Sequence, residues 1–316
     1  MTPSFTLEDK IISRNDSVSG TLLAEKGISL HVKREDLIHK HISGNKFRKL
    51  KYNVKAAQKE GHTKLLTFGG AFSNHIAATA AAGKLVGMQT VGVIRGEELG
   101  VNLEKTLLHN ETLRYAVSQG MQLYFIDRAS YREKESTEIL TQLQNQFGTF
   151  YLIPEGGTNE LAVQGCKEVL TAADADYDVI CCSVGTGGTI AGIIETAFPH
   201  QKVLAFPALK GDFVEDMLLT HTTKKNYKVI NRYHFGGYGK VTDELVTFIN
   251  TFYKTYQIPL DPIYTGKMMF GIFDLIKTDY FNRNTRILAI HTGGIQGVAG
   301  INHRLRQKNS PQIKIC

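Results

Sequence analysis

Gly185-Thr186-Gly187-Gly188-Thr189 stands between an apolar strand-like run, Val179-Ile180-Cys181-Cys182-Ser183-Val184, and a helix-like run, Ile190-Ala191-Gly192-Ile193-Ile194. Such a loop is suited to a phosphate. Glycines let backbone N–H groups converge on an anion with no Cβ in the way, and the helix that follows adds its positive end. No Gly-Lys-Ser/Thr follows at the offset a nucleoside triphosphate loop needs, and Ile190 stands where the third glycine of a dinucleotide fingerprint belongs. The next apolar run, Val203-Leu204-Ala205-Phe206, leads into Pro207 and Ala208 with no acidic residue for a ribose. ATP and NAD are therefore disfavoured, and a small phosphorylated cofactor becomes the leading ligand.

The elements that must present this loop alternate along the chain. Residues 65–68, 90–94, 123–126, 151–153, 179–184, 203–206 and 287–290 read as buried strands, most followed by a glycine-containing turn and a helical stretch. This is the βαβ rhythm of parallel sheets. Over 46–60, Phe47, Leu50, Val54 and Ala57 share one helical face with lysines on the other; Ser43-Gly44-Asn45 precedes the helix and Gly61 ends it. Parallel sheets hold ligands beyond the carboxyl ends of their strands. The segments 69–75, 156–157, 185–189 and 292–294 should therefore converge on one site. There is no internal repeat, low-complexity tract or long linker, so domain boundaries follow from topology.

At 316 residues and 42% hydrophobic composition, the chain can bury a large core, as two lobes of an α/β enzyme. The formal net charge is +7, but Lys and Arg are spread along the whole chain without an RNA-binding or zinc-finger signature. This speaks against a nucleic-acid partner and suits anionic small molecules. The four cysteines, Cys166, Cys181, Cys182 and Cys316, form no C-x-x-C pair, and the adjacent two read as buried thiols. With a polar N-terminus lacking an apolar signal core, and no stretch long enough to cross a bilayer, the expectation is a cytoplasmic protein without membrane association. His39-x-His41 lacks carboxylate or Cys companions and no His-Glu-x-x-His occurs, so no metal site is expected.

Several segments carry a family resemblance. Ser43-Gly44-Asn45-Lys46-x-Arg48-Lys49-Leu50 is similar to the Gly-Gly-Asn-Lys-x-Arg-Lys-Leu signature of the pyridoxal-phosphate enzymes grouped as D-cysteine desulfhydrase and 1-aminocyclopropane-1-carboxylate (ACC) deaminase. Ser73-Asn74-His75, the loop 185–189, Pro262-Ile263-Tyr264-Thr265-Gly266-Lys267-Met268 and His291-Thr292-Gly293-Gly294 agree in the same order. Each motif is weak alone, but together they span residues 43 to about 300 in the family's order. The resemblance implies an α/β architecture of the tryptophan-synthase-β type, fold type II, with two open twisted, mostly parallel sheets flanked by helices. A small domain at 47–153 would be inserted into a large cofactor-binding domain made of 1–46 and 154–316, with Lys46 at the seam.

The same resemblance implies roles. Lys46 becomes the amine that condenses with the aldehyde of pyridoxal 5'-phosphate; by position alone it is one lysine among many, in a helix's first turn where the dipole disfavours a cation. That dipole also lowers the amine's pKa, which suits a nucleophile. Asn74 is assigned to the cofactor's ring hydroxyl, Gly185, Thr186, Gly187, Gly188 and Thr189 to its phosphate, and Thr292 to its pyridine nitrogen. An uncharged hydroxyl there does not hold the nitrogen protonated. Lys49 either neutralises the phosphate or is a surface ion. Ser73 reads as the N-cap of a helix over 74–85, as the group that grips the substrate carboxylate at that helix end, or as both. His75 reads as a packing or hydrogen-bonding histidine. Tyr238, between Gly237 and Gly239, and Tyr264 match two tyrosines over the cofactor, although a tyrosine beside glycines also serves as a loop anchor.

In the ACC deaminases the second tyrosine is followed by Glu; here Thr265 follows, as in the desulfhydrase group. This favours α,β-elimination over opening of a cyclopropane ring. Phe72 stands where the family has Gln, Ser43 replaces Gly, and Lys240 follows the Gly-Tyr-Gly, so the accepted side chain can differ from both substrates. The expected function is a pyridoxal-phosphate lyase or deaminase of a small amino acid, a homodimer that releases a 2-oxo acid and ammonia, with sulfide from D-cysteine. The alternatives are ACC deamination to 2-oxobutyrate and, from another class, a non-catalytic phosphate-ligand binding protein that has no use for Lys46.

Overall fold

The structure is a computed structural model that describes residues 11, 13–211 and 213–315. The amino-terminal segment read above as polar, and Cys316, lie outside the described residues. The described residues form ten strands: β1 (Asn15–Val18), β2 (Ser29–Lys33), β3 (Lys64–Gly69), β4 (Gln89–Arg95), β5 (Met121–Ile126), β6 (Tyr151–Ile153), β7 (Val179–Val184), β8 (Lys202–Pro207), β9 (Tyr227–Val229) and β10 (Arg286–Ile290). They form a six-stranded sheet, β1-β2-β10-β7-β8-β9, and a four-stranded sheet, β5-β4-β3-β6. Every pairing is parallel except β1 with β2. The expected two mostly parallel sheets, flanked by helices, are what the chain forms.

All seven strands read from the sequence exist, five of them a residue or two longer than read. The three that were not read have weak apolar signals. β1 is Asn-Asp-Ser-Val at the sheet edge, β9 is three residues, and β2 ends in a buried lysine. Lys33 donates to both oxygens of Asp174, at 3.0 and 2.8 Å, and both side chains are almost fully enclosed. A polar residue that buries itself by pairing cannot be distinguished by hydropathy from one that faces water.

The strands β7 and β10 run through the middle of the larger sheet and are covered on both faces. Val179, Cys181, Ile287 and Ala289 join one apolar cluster; Ile180, Cys182, Leu288 and Ile290 join the other. This alternation is the two-residue strand period, and burial on both sides explains a continuous apolar run. Cys166, Cys181 and Cys182 are free, buried thiols. Their burial raises their pKa, to about 11 for Cys166, which leaves them unreactive.

The helix Asn45–Lys59 buries Phe47, Leu50, Val54 and Ala57 as the pattern demands, and Gly61 takes φ +77° just beyond it. Its opposite face departs from expectation. Arg48 and Lys49 are 1% and 2% exposed, not solvated. Arg48 forms a two-pronged bond to Glu35, 2.9 Å at each oxygen, and Glu35 also accepts from Ser13 at 2.6 Å. Breaking a buried pair of this kind by removing one partner costs about 3–5 kcal/mol. The pair fixes the helix, and Lys46 with it, against the end of β2. Among the described residues no helix is long and apolar enough to cross a membrane.

Candidate active site

The carboxyl ends of β3, β6, β7 and β10 open into one cleft of about 710 Å³, lined among others by residues 70–75, Glu155, Gly156, residues 183–187, Thr189 and residues 292–294. The four segments expected to converge therefore do so, because parallel strands send their following loops to the same edge.

Lys46 enters from the first turn of the helix Asn45–Lys59. Its Nζ donates to Gly156 O at 3.2 Å. Lys49, one turn later on the same face, donates to that same carbonyl at 3.1 Å, to Thr158 Oγ1 at 2.8 Å and to Thr186 Oγ1 at 3.2 Å. Burial and the neighbouring Lys49 ammonium hold the Lys46 amine well below the usual lysine range. Burial brings Lys49 down to about 8. Lys49 thus belongs to the lining of the cleft and not to the outer surface.

A depressed lysine pKa has a defined effect on stability. Between the folded value near 8 and the ordinary value of 10.5, the unfolded chain binds the Lys49 proton and the folded chain does not. Unfolding free energy then increases with pH across that window, by on the order of 3 kcal/mol in total for one group. Urea unfolding of the cofactor-free protein at pH 7.5 and pH 9.5 should show this gain. Lys49→Met should remove that group's share of the gain and leave the share of Lys46 and Lys267, which burial lowers in the same way; equal slopes in both proteins would contradict a Lys49 amine held down by burial.

The loop between β7 and the helix Gly188–Thr196 has Gly187 at φ +79°. No side chain caps that helix, and its first turn carries no acidic residue. The loop therefore presents a helix end that no side chain caps, with the Lys49 amine on Thr186 beside it. Thr189 is tied by its hydroxyl to Asn45 Nδ2 at 2.8 Å, which locks the loop to the residue preceding Lys46.

Ser73 precedes the helix Asn74–Val86 and its hydroxyl accepts from Ile76 N at 3.4 Å, so the capping role is present; Ser73 also lines the cleft. Asn74 lines the cleft too, and its Oδ1 is buried without a partner. His75 is enclosed. Thr67 Oγ1 donates to Ile153 O at 2.8 Å and so accepts from His75 Nε2, also at 2.8 Å. Burial and the lysines Lys46 and Lys49 push the ring's pKa well down, so it is a neutral, positioned histidine. Thr292 Oγ1 lies 3.3 Å from Ser183 Oγ, an uncharged hydroxyl pair in the cleft wall.

Tyr264 and Tyr238 meet edge to face with ring centroids 6.1 Å apart. Burial, reinforced by Tyr238, holds the Tyr264 phenol well above its ordinary value. Tyr238 is half exposed, at the mouth. Thr265 departs from the sequence reading. Its side chain is fully enclosed and turned away from the cleft, donating to Asp261 Oδ2 at 2.6 Å and accepting from Asp261 N at 2.9 Å. Asp261 also accepts from the backbone N–H groups of Ile263, Tyr264 and Thr265, each at 2.8 Å. Residue 265 therefore acts on the cleft by fixing Tyr264, and a glutamate there would face the Asp261 carboxylate.

Sequence reasoning did not single out Ser183, Glu155, Arg95 or Arg304, all of which line the cleft. Ser183 and Arg95 carried a signal, since each is at the carboxyl end of a readable strand. Arg304, on the distant helix Gly297–Gln307, carried none.

Comparison with known proteins agrees with this geometry. Residues 19–293 match the family described as pyridoxal-phosphate dependent enzyme. A protein of Pyrococcus horikoshii, provisionally named a 1-aminocyclopropane-1-carboxylate deaminase, is 31% identical over 292 residues, covering 86% of each chain. The bifunctional D-cysteine desulfhydrase/1-aminocyclopropane-1-carboxylate deaminase of Arabidopsis thaliana, a mitochondrial protein, is 29% identical over 297 residues, covering 86% of this chain and 74% of that one. A crystal structure described as an ACC deaminase homologue superposes with a TM-score of 0.78 at 28% identity, over 93% of both chains.

Proposed function

This chain belongs to the pyridoxal-phosphate dependent enzymes, and from that premise we propose that it is a lyase that removes a β-substituent from a small amino acid. The observation that carries this reading is the Lys46 amine, its pKa brought well below the ordinary lysine range by burial and by Lys49, at the edge of the glycine loop 185–189. The reaction takes an amino acid and water to a 2-oxo acid, ammonia and the protonated leaving group; for D-cysteine these are pyruvate, ammonia and hydrogen sulfide.

The residues fit the cofactor. A buried amide oxygen without a partner on Asn74, a phosphate-sized loop at an uncapped helix end, and a neutral hydroxyl pair in the wall are three separate polar features facing one cleft. When bound, pyridoxal phosphate supplies an aldehyde that links to amines and a ring that takes up the electron pair left at Cα. Gly185, Thr186, Gly187, Gly188, Thr189 and Lys49 would hold its phosphate, Asn74 its ring hydroxyl, and Thr292 with Ser183 its ring nitrogen. Lys46, whose amine gives up its proton more readily than an ordinary lysine's, would accept the Cα proton. Ser73 and the N-terminus of the helix Asn74–Val86 would orient the substrate carboxylate. Tyr264, kept protonated by burial, would offer a proton near the departing group, with Tyr238 covering the mouth.

Gly187 gives a local test of the phosphate assignment. A Cβ there would point at Met217, 2.9 to 3.2 Å from three of its side-chain atoms, and not into the loop. The penalty of Gly187→Val thus comes from the positive φ, which a β-branched residue resists. The loop should shift and cofactor affinity fall at least tenfold, with global stability down by about 1–2 kcal/mol. Unchanged affinity in a cofactor titration would remove the loop from the site.

Elimination is favoured over ring opening because Glu155 is the sole carboxylate among the described residues lining the cleft. Measuring 2-oxo acid release from D- and L-β-substituted amino acids and from ACC tests this. Pyruvate and sulfide from D-cysteine should form faster than 2-oxobutyrate from ACC. The reverse order would establish the deaminase alternative, and a colourless protein that releases no oxo acid after incubation with pyridoxal phosphate would establish the non-catalytic one. We further propose the division into lobes 47–153 and 1–46 with 154–316, a homodimer, and a cytoplasmic setting in keeping with three free thiols.

A further inference from the structure

Two guanidinium groups in the cleft are left over by the roles assigned above. Arg95, at the carboxyl end of β4, and Arg304, on the helix Gly297–Gln307, both line it. Among the described residues neither forms an ion pair with a carboxylate. They flank the loop that carries Tyr238. Arg304 Nη2 donates to Gly239 O at 3.1 Å. The Arg95 charge acts on the Tyr238 phenol, and its guanidinium lies 5.6 Å from the Tyr131 ring centroid, which holds it at the cleft wall. Its Nη2 also approaches within 3.7 Å of where a Cβ on Gly70 would be, so it faces the loop leading to Ser73.

Several lysines stand around the same loop, whose Tyr238 also feels the carboxylates of Asp261 and Glu155. Lys210 and Lys240 pack against Gly237 and Gly236, and Lys267 donates from beneath to His234 O and Gly237 O at 2.9 and 2.8 Å. Glu155, the one carboxylate among the described lining residues, is within 3.3 Å of Lys134. The cofactor phosphate is met at 185–189 and the substrate α-carboxylate at Ser73, so the positive mouth faces a further anion. Guanidinium forks match carboxylate, phosphate and sulfonate groups in shape and charge.

We propose that Arg95 and Arg304 receive an acidic group on the substrate's side chain, so that the preferred substrates are amino acids whose β-substituent is itself anionic. This rests on the elimination reading. With O-phosphoserine as probe, the Cβ–O bond breaks, its electron pair leaves with the phosphate, and water completes the products: pyruvate, ammonia and phosphate. Phe72, beside this mouth and packed on Gly300, provides an apolar wall that offers a neutral polar side chain no hydrogen bond.

The test compares the cofactor-loaded wild type with Arg95→Gln, Arg304→Gln and the double variant. The kcat/KM ratio of O-phosphoserine to β-chloroalanine is measured for both enantiomers. Each single substitution should lower that ratio at least tenfold, and Arg95→Lys should lower it less than Arg95→Gln. Calorimetric binding of 2-amino-3-phosphonopropionate against 2-aminobutyrate gives a readout without turnover, and the phosphonate should bind at least tenfold tighter in wild type alone. An equal loss for both substrates would overturn the proposal, assigning these arginines to the α-carboxylate. An unchanged ratio, with no arginine-dependent difference in binding, would overturn it also. Arginine-dependent phosphonate binding with no oxo acid from any substrate would sustain the anion site and refute the lyase reading instead.

Discussion

Lys46→Ala is expected to lower turnover by about four orders of magnitude or more while leaving the fold intact. The amine is the one group in the cleft proposed both to link covalently and to move a proton, and removing such a group removes both steps at once. Its loss costs the structure little. Lys46 Nζ makes one hydrogen bond, to Gly156 O, and its burial already disfavours its charge. Unfolding free energy should therefore change by no more than about 1 kcal/mol. Borohydride reduction of the loaded wild type should leave the pyridoxyl mass on the peptide containing Lys46. The informative competitor is Lys49, whose amine shares the same carbonyl. Three hydrogen bonds hold Lys49 in place, whereas Lys46 has one, so Lys46 is the freer nucleophile. Trapped mass on Lys49, or turnover retained in Lys46→Ala, would overturn the assignment.

Gly44→Ala should be the most damaging single-methyl change in the site. Gly44 has φ +64° and ψ −142°, a conformation L residues rarely adopt. A Cβ there would lie 2.0 Å from Thr292 O and 2.3 Å from Thr292 C. Those are backbone atoms of the loop after β10, so the contact cannot be relieved by a rotamer change. The two segments are already joined by Asn45 N donating to Thr292 O at 3.2 Å. Strain and overpacking together should cost about 2–6 kcal/mol. Separation of the loops would also pull Lys46 away from Thr292, so kcat should fall at least a hundredfold in whatever protein still folds. Gly61→Ala is the control. It has positive φ as well, +77°, but nothing within 4 Å, so only the strain of about 1 kcal/mol applies and turnover should be unaffected. Equal effects from the two substitutions in urea unfolding and turnover would show that the contact with Thr292 does not matter.

The departures between sequence and structure share a cause. Lys49 read as either a phosphate partner or a surface ion, and it is enclosed by Gly156 and two threonines, as its neighbour Arg48 is by Glu35. Thr265 read as the residue beside the substrate, yet it bonds to Asp261, four residues before it, and holds the turn into Tyr264. In each case the partner that satisfies a polar side chain decides which way it faces.

The sequence alone determined the strands buried on both faces, the helix that carries Lys46 in its first turn, the glycine loop, and the convergence of four loops, since strand and helix periods and the parallel rule are local or topological properties. Its motifs determined the family. Tertiary structure alone decided that two lysine amines are buried side by side at one carbonyl, and that burial of both, with the Lys49 charge acting on Lys46, makes them lose their protons more readily, because desolvation depends on how elements pack and not on spacing along the chain. It also decided that Arg95 and Arg304, more than two hundred residues apart, flank one tyrosine. No period or motif encodes that pairing. It exists only once two sheets, folded from separate stretches of chain, set their strand ends against the same cleft.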